Sequence, residues 1–160
     1  MTKAHPLIAV IDDEEPVRTA LTRLMRSAGL MVETFGSGAE FLKSLEMVLP
    51  DCVVLDLHMP HMDGFNVQTQ LARKCAGLPV IIVTGHDFPE ARERAMAGGA
   101  SAFLRKPVHD RTLLDAISAA TTALPDETNQ SVRDSFNPSD SPTSPQNLNS
   151  PDPPDALTPQ

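Results

Sequence analysis

Short apolar runs alternate with amphipathic stretches along the first 124 residues. Leu7 to Ile11 is a continuous apolar run that ends on acids, which suits a strand buried on both faces. Val17, Ala20, Leu21, Leu24, Met25 and Ala28 then recur at helical spacing, with Glu14, Glu15 and Pro16 in the first turn and Gly29 just past the end. Met31 to Phe35 predicts a second strand, and Ser37-Gly-Ala-Glu40 has the spacing of a capping box that opens a helix through about Val48. Cys52 to Leu55 is a third strand, followed by a loop through Gly64, a helix to about Cys75 and a fourth strand at Pro79 to Val83. Pro89 to Ala97 reads as a helix stopped by Gly98-Gly99, and Ala102 to Leu104 as a fifth strand. Leu113, Ala116, Ile117, Ala120 and Leu124 line one face of a last helix.

Strict alternation of strands and helices with short connections implies a parallel sheet, because parallel neighbours need crossover helices. The expected fold is therefore α/β and doubly wound, with helices on both faces. Sites in such open sheets lie beyond the carboxyl ends of the strands, so the residues that end each strand carry the functional information. The first strand ends on Asp12-Asp13, the third on Asp56, the fourth on Thr84, and the fifth leads to Lys106-Pro107.

Three carboxylates gathered in one crevice repel each other unless a countercharge joins them, and a hard divalent cation with oxygen ligands resolves the conflict. Mg²⁺ suits that ligand set and favours a phosphate oxygen as a further ligand. Lys106 supplies a compact positive charge for such a phosphate, and the Thr84 hydroxyl can donate a hydrogen bond to it. Asp56 stands between the acid pair and the lysine and is the candidate nucleophile toward phosphorus.

Together, Asp12-Asp13, Asp56 within VVLDLHMPHMDG, Thr84 within PVIIVTGHD and Lys106-Pro107 within ASAFLRKP resemble the response-regulator receiver domains of two-component systems. The chain is similar in particular to receivers of nitrogen-fixation regulators, which share the TGH and MP-x-M-x-G stretches. The resemblance runs from Leu7 to about Leu124. It implies a flavodoxin-like (βα)5 fold with strand order 2-1-3-4-5, Asp56 as phosphoacceptor and Mg²⁺ as cofactor. It further implies Asp13 as a direct metal ligand, Asp12 acting mostly through water, and the His58 backbone carbonyl completing the protein ligands. By the same resemblance Thr84 and Phe103 form a switch pair, with Phe103 turning inward as Thr84 is drawn to the phosphoryl group, and the Lys106-Pro107 bond is cis. His58 and His86, each two residues past a site residue, occupy positions whose side chains influence the lifetime of the acyl phosphate in that family. The implied phosphodonor is a sensor histidine kinase or a phosphotransfer protein.

Other readings fit less well. A haloacid-dehalogenase-like phosphatase needs a second acid two residues after its nucleophile, where this chain has His58. A flavodoxin-like binding module needs a Ser/Thr/Gly-rich loop after the first strand, where Asp12, Asp13, Glu14 and Glu15 stand. A degenerate receiver acting only as a scaffold would not need the full set of acids, threonine and lysine. A zinc site from His58, His61 and His86 is set aside because MPHMDG is explained as the receiver loop.

Composition divides the chain. Eight of the 15 prolines lie in residues 125–160, and all eight glycines lie before them. With Val132, Phe136, Leu148 and Leu157 as its only sizeable apolar side chains, that stretch is expected to be a disordered acidic tail. The domain expectation is thus a receiver over 1–124 and a tail over 125–160. The formal charge is −8, and without the tail 12 bases face 15 acids, a balance unsuited to direct nucleic-acid binding. Cys52 and Cys75 show no CxxC spacing and read as reduced thiols of a cytoplasmic chain, and no apolar stretch suggests a membrane span. The tail is too short, acidic and proline-rich for a helix-turn-helix, so the expectation is a stand-alone signalling receiver, not an enzyme on other substrates. It would signal to a downstream protein, through a phosphorylation-dependent homodimer, or serve as a phosphate sink or relay.

Overall fold

The apolar run from Leu7 forms β1 (Leu7–Ile11), buried on both faces from Ile8 onward. The computed structural model describes residues 5–122, and the expected tail and the helix-lining Leu124 lie outside the described residues. Strands and helices follow in alternation: α1 (Glu15–Ser27), β2 (Met31–Phe35), α2 (Gly38–Ser44), β3 (Cys52–Leu55), α3 (Gly64–Lys74), β4 (Val80–Thr84), α4 (Pro89–Ala97), β5 (Ala102–Arg105) and α5 (Asp110–Thr122). The strands form one parallel sheet in the order β2-β1-β3-β4-β5, as the resemblance implies.

The sheet separates two apolar layers. Ile8, Val10, Cys52, Val54, Ile81 and Val83 pack against Leu21 and Met25 of α1 and Leu113, Ile117 and Ala120 of α5. Ala9, Ile11, Val53, Leu55 and Ile82 face the other way, against Phe41 and Leu42 of α2, Val67 and Leu71 of α3, and Ala95 of α4. Because successive strand residues point to opposite faces, an uninterrupted apolar run is what a sheet covered on both sides requires. Burying each of the larger side chains contributes roughly 1.5–3 kcal/mol, so the two layers together dominate the stability of the sheet. β2 is an edge strand, and Met31 at its start is 57% exposed.

Helix ends follow local chemistry. Ser37 caps α2, its Oγ accepting the Glu40 N–H at 3.2 Å, and Asp63 caps α3 through the Asn66 N–H at 2.9 Å. The apolar pattern extends α2 to about Val48, but the helix stops at Ser44. Ser44 Oγ donates to the Phe41 carbonyl at 2.6 Å, and the next turn tightens as Glu46 and Met47 N–H bond to the carbonyls of Lys43 and Ser44. Met47, Val48 and Leu49 are consequently exposed and add nothing to the core.

Gly64 positions the loop after β3. A Cβ built there would lie 2.5 Å from the Asp56 carbonyl oxygen and 2.6 Å from the Leu57 Cα, so only glycine lets α3 start this close to the strand tip. Gly64 N–H donates to the Leu57 carbonyl at 3.0 Å and fixes the approach.

Candidate functional site

The sheet's hydrogen-bond ladder runs one residue past three strands and carries the site residues with it. Asp12 N–H donates to the Phe35 carbonyl at 3.1 Å, Asp56 N–H to the Ile11 carbonyl at 3.0 Å, and Lys106 N–H to the Thr84 carbonyl at 2.9 Å. Asp12, Asp13 and Asp56 come together as expected, each offering a carboxylate oxygen within 4.8 Å of the others. Asp12 and Asp56 are buried and Asp13 is exposed. Among the described residues this is the group of three that could hold a metal ion, and the His58, His61 and His86 trio forms none.

Each buried acid is held at both oxygens. Asp12 Oδ1 accepts the Glu14 N–H at 2.9 Å and Asp56 Oδ1 accepts the His58 N–H at 3.1 Å. Lys106 Nζ donates to Asp12 Oδ2 at 2.6 Å and to Asp56 Oδ2 at 3.2 Å. Burial alone would lower the lysine's pKa, but the hydrogen bonds and charges of Asp12 and Asp56 outweigh it and raise the pKa above its ordinary value of 10.5. Sequence reasoning assigned Lys106 to an incoming phosphate and did not anticipate its pairing with Asp12. Asp13 does not cap α1; Glu14 is the N-cap, without a side-chain bond. Arg18 Nη1 donates to the Asp12 carbonyl at 2.6 Å and ties α1 to the strand tip.

The donor set fits Mg²⁺. Three carboxylates and one ammonium leave a formal charge of −2, which a divalent cation neutralises, and every side-chain ligand is oxygen. Carboxylate oxygens carry two lone pairs, so those already accepting one hydrogen bond retain a site for metal.

Thr84 is fully buried, and its Oγ1 accepts the His86 N–H at 3.2 Å. The same i to i+2 turn occurs at Asp56–His58, and the two histidine rings stack with centroids 4.1 Å apart. No sequence pattern signals that stack, because it joins two loops whose separation is set by the sheet. Nothing within 4 Å would meet a Cβ on Gly85, in keeping with open space beside Thr84. The Lys106–Pro107 peptide is cis, as the resemblance implies.

Phe103 is 7% exposed and packs in the layer of α2, α3 and α4, with the Arg92 guanidinium 5.7 Å from its ring centroid. The ring thus lies buried in this structure. A phenylalanine has no hydroxyl to keep in water, so burial carries no polar cost and the covering arginine adds a cation–π attraction.

Cys52 is buried and Cys75 half-buried, both free thiols, as their spacing suggested. No helix among the described residues is long and apolar enough to cross a membrane.

Comparison with known proteins agrees with this geometry. Residues 8–118 match the response regulator receiver domain family. The chain is 45% identical over 120 residues to nodulation protein W of Bradyrhizobium diazoefficiens, a match covering 75% of this chain and 52% of that protein. It is 38% identical over 134 residues to response regulator protein TodT of Pseudomonas putida, covering 83% of this chain and 59% of that protein. The matched stretch therefore spans little more than half the length of these relatives. Among solved structures, the crystal structure of FixJ-N superposes with a TM-score of 0.71 at 31% identity, covering 78% of this chain and 99% of that one. A response regulator receiver domain protein from Clostridium thermocellum gives 0.70 at 33% identity, covering 73% and 94%.

Proposed function

The chain belongs to the response regulator receiver domain family, and from that premise we propose that it accepts a phosphoryl group on Asp56 with Mg²⁺ as cofactor. One observation carries this reading: Asp56 belongs both to the three-carboxylate group and to the Lys106 pair, so a cation held by the carboxylates and the lysine would place two positive charges beside a phosphoryl group there. The donor is a phosphohistidine of a kinase or phosphotransfer protein. An Asp56 carboxylate oxygen attacks phosphorus, the nitrogen–phosphorus bond breaks, and the released imidazole takes a proton.

Asp12, Asp13 and Asp56, with the His58 carbonyl, are the residues that would hold Mg²⁺. When bound, the ion supplies charge neutralisation for the phosphoryl oxygens. Lys106 accompanies the phosphoryl group as it exchanges a carboxylate partner for a phosphate oxygen, and the Thr84 hydroxyl donates to that group while still accepting from His86. Since Phe103 is already buried, the Thr84–Phe103 pair works by holding a preformed arrangement more firmly, a population shift in place of a new packing. His58 and His86 flank the phosphoryl position and set how readily water reaches it. The domain catalyses only its own phosphorylation and dephosphorylation. Its output passes to a downstream protein through α4, β5 and α5, with homodimerisation or a role as phosphate sink or relay as the other routes.

The test is labelling by acetyl phosphate. Label is expected on Asp56 only with Mg²⁺ present. Label that persists in Asp56→Asn, or is undiminished in EDTA, overturns the reading.

A further inference from the structure

Four polar or charged side chains are buried among the described residues: Asp12, Asp56, Thr84 and Gln68. The first three belong to the site, and Gln68 does not. It lies on α3, 4% exposed, and its Nε2 donates to the Ala95 carbonyl of α4 at 2.6 Å. Burying a primary amide is unfavourable unless it is bonded, so an apolar residue would fill this position more cheaply if packing were all that it did.

The helix it reaches is attached unevenly. Ala95 is the buried residue of α4, and Ala91 only packs partly against the layer below. At the N-terminal end, Phe88 is the N-cap without a side-chain bond and is 59% exposed. At the C-terminal end, the Ala95 carbonyl accepts from Gln68 and also from the Ala100 N–H at 3.1 Å. Gly98 closes the same contact, because a Cβ there would lie 2.9 Å from both Cδ and Nε2 of Gln68. The helix is therefore tied to α3 by a side-chain hydrogen bond at its far turn, whereas its first turn is held by ring contacts, Phe88 beside His86 and Arg92 over Phe103.

We propose that Gln68 is a positioning residue for the phosphorylation response: its amide fixes the C-terminal turn of α4, so that displacement begun at Thr84 swings the N-terminal turn about that point. The proposal rests on the phosphoacceptor reading of Asp56. Packed contacts have discrete arrangements and do not deform continuously, so a helix anchored at one end pivots where an unanchored one slides.

The experiment uses the full chain with Mg²⁺ and beryllofluoride as the phosphoryl mimic, read by backbone amide NMR shifts and hydrogen exchange. Gln68→Met keeps the length and removes the donor. Gly98→Ala pushes on the amide from the opposite side without changing residue 68, and Ile117→Val trims α5 on the other face as a control. In the wild type, shifts are expected over residues 86–92, with residues 95–99 unmoved. In both test variants the response should spread to 95–99, with exchange there about fivefold faster, the ratio one net hydrogen bond of about 1 kcal/mol corresponds to. The control should keep the wild-type profile. The pivot is overturned if 95–99 already move in the wild type, or if either test variant keeps the wild-type profile despite lower stability. A wild-type chain that does not respond to beryllofluoride overturns the phosphoacceptor reading itself, and the pivot with it.

Discussion

Lys106 Nζ lies 2.6 Å from Asp12 Oδ2, closer than its 3.2 Å contact with Asp56. Its ammonium is thus committed to the acid that is not the proposed nucleophile, and it can follow a phosphoryl group on Asp56 without leaving the cluster uncompensated.

Alkaline stability should fall in two windows. The Lys106 pKa is raised by its acids, so its contribution is complete below the ordinary lysine value of 10.5 and is lost as pH rises through the folded-state pKa. Burial pushes the Cys52 thiol from 9.0 up to about 12, with a counteracting Val53 backbone bond and a small added push from Asp51. Its neutral form favours the fold, so that contribution begins to fall near pH 9. In urea denaturation from pH 8 to 11.5, Cys52→Ala should remove the earlier loss and Lys106→Met the later one. At neutral pH Lys106→Met should cost about 2 kcal/mol, less than a fully buried pair because some solvent reaches the lysine. A single common profile for all three proteins would refute the assignment.

Thiol labelling should distinguish the cysteines. Cys52 is fully buried with a raised pKa, while Cys75 is half-buried. Iodoacetamide at pH 8 is expected to modify Cys75 and spare Cys52 until denaturant is added. Mass spectrometry finding rapid native modification of Cys52 would show that β3 opens far more readily than its burial implies.

Gly64→Ala should destabilise by about 1–3 kcal/mol, because the added methyl meets strand backbone that cannot rotate away. Gly85→Ala meets nothing within 4 Å and should leave stability within about 0.5 kcal/mol. It should nevertheless slow phosphorylation by crowding the space beside Thr84. Thermal melts and labelling rates on the two variants check both halves, and equal melting losses would refute the contrast.

Thr84→Ala removes the acceptor for the His86 N–H, a change worth about 1 kcal/mol. Asp56 labelling should persist, through Lys106 and the metal, whereas the beryllofluoride shifts over residues 86–92 should shrink. If those shifts are unchanged, the signal leaves Asp56 by another route.

The fold was readable because the three central strands, such as Val53-Val54-Leu55 in β3, are apolar without alternation up to their tips and are bounded by helical spacing, while the edge strand β2 carries Glu33 and Thr34. Asp12, Asp56, Thr84 and Lys106 were readable for a related reason: the ladder fixes strand tips in register, so residues that end strands must converge. The shortened α2 was not, because Ser44 competes for the Phe41 carbonyl through a bond that apolar periodicity does not encode. The Gln68–Ala95 bond and the His58–His86 stack join residues 27 and 28 positions apart across loops, and neither leaves a local pattern. The burial of Phe103 beside Arg92 and in the α2–α3–α4 layer is tertiary in origin and leaves no local pattern either.

The two apolar layers on either side of the sheet have no side chain in common. The β-sheet acts as a bulkhead: the side chains around Phe103 and Ala95 belong to one layer and those of α1 and α5 to the other. A substitution in the α1–α5 layer therefore changes side chains that the layer around Phe103 and Ala95 does not share. A face built from α4, β5 and α5 thus joins two separately packed layers, and β5 is the element through which they meet.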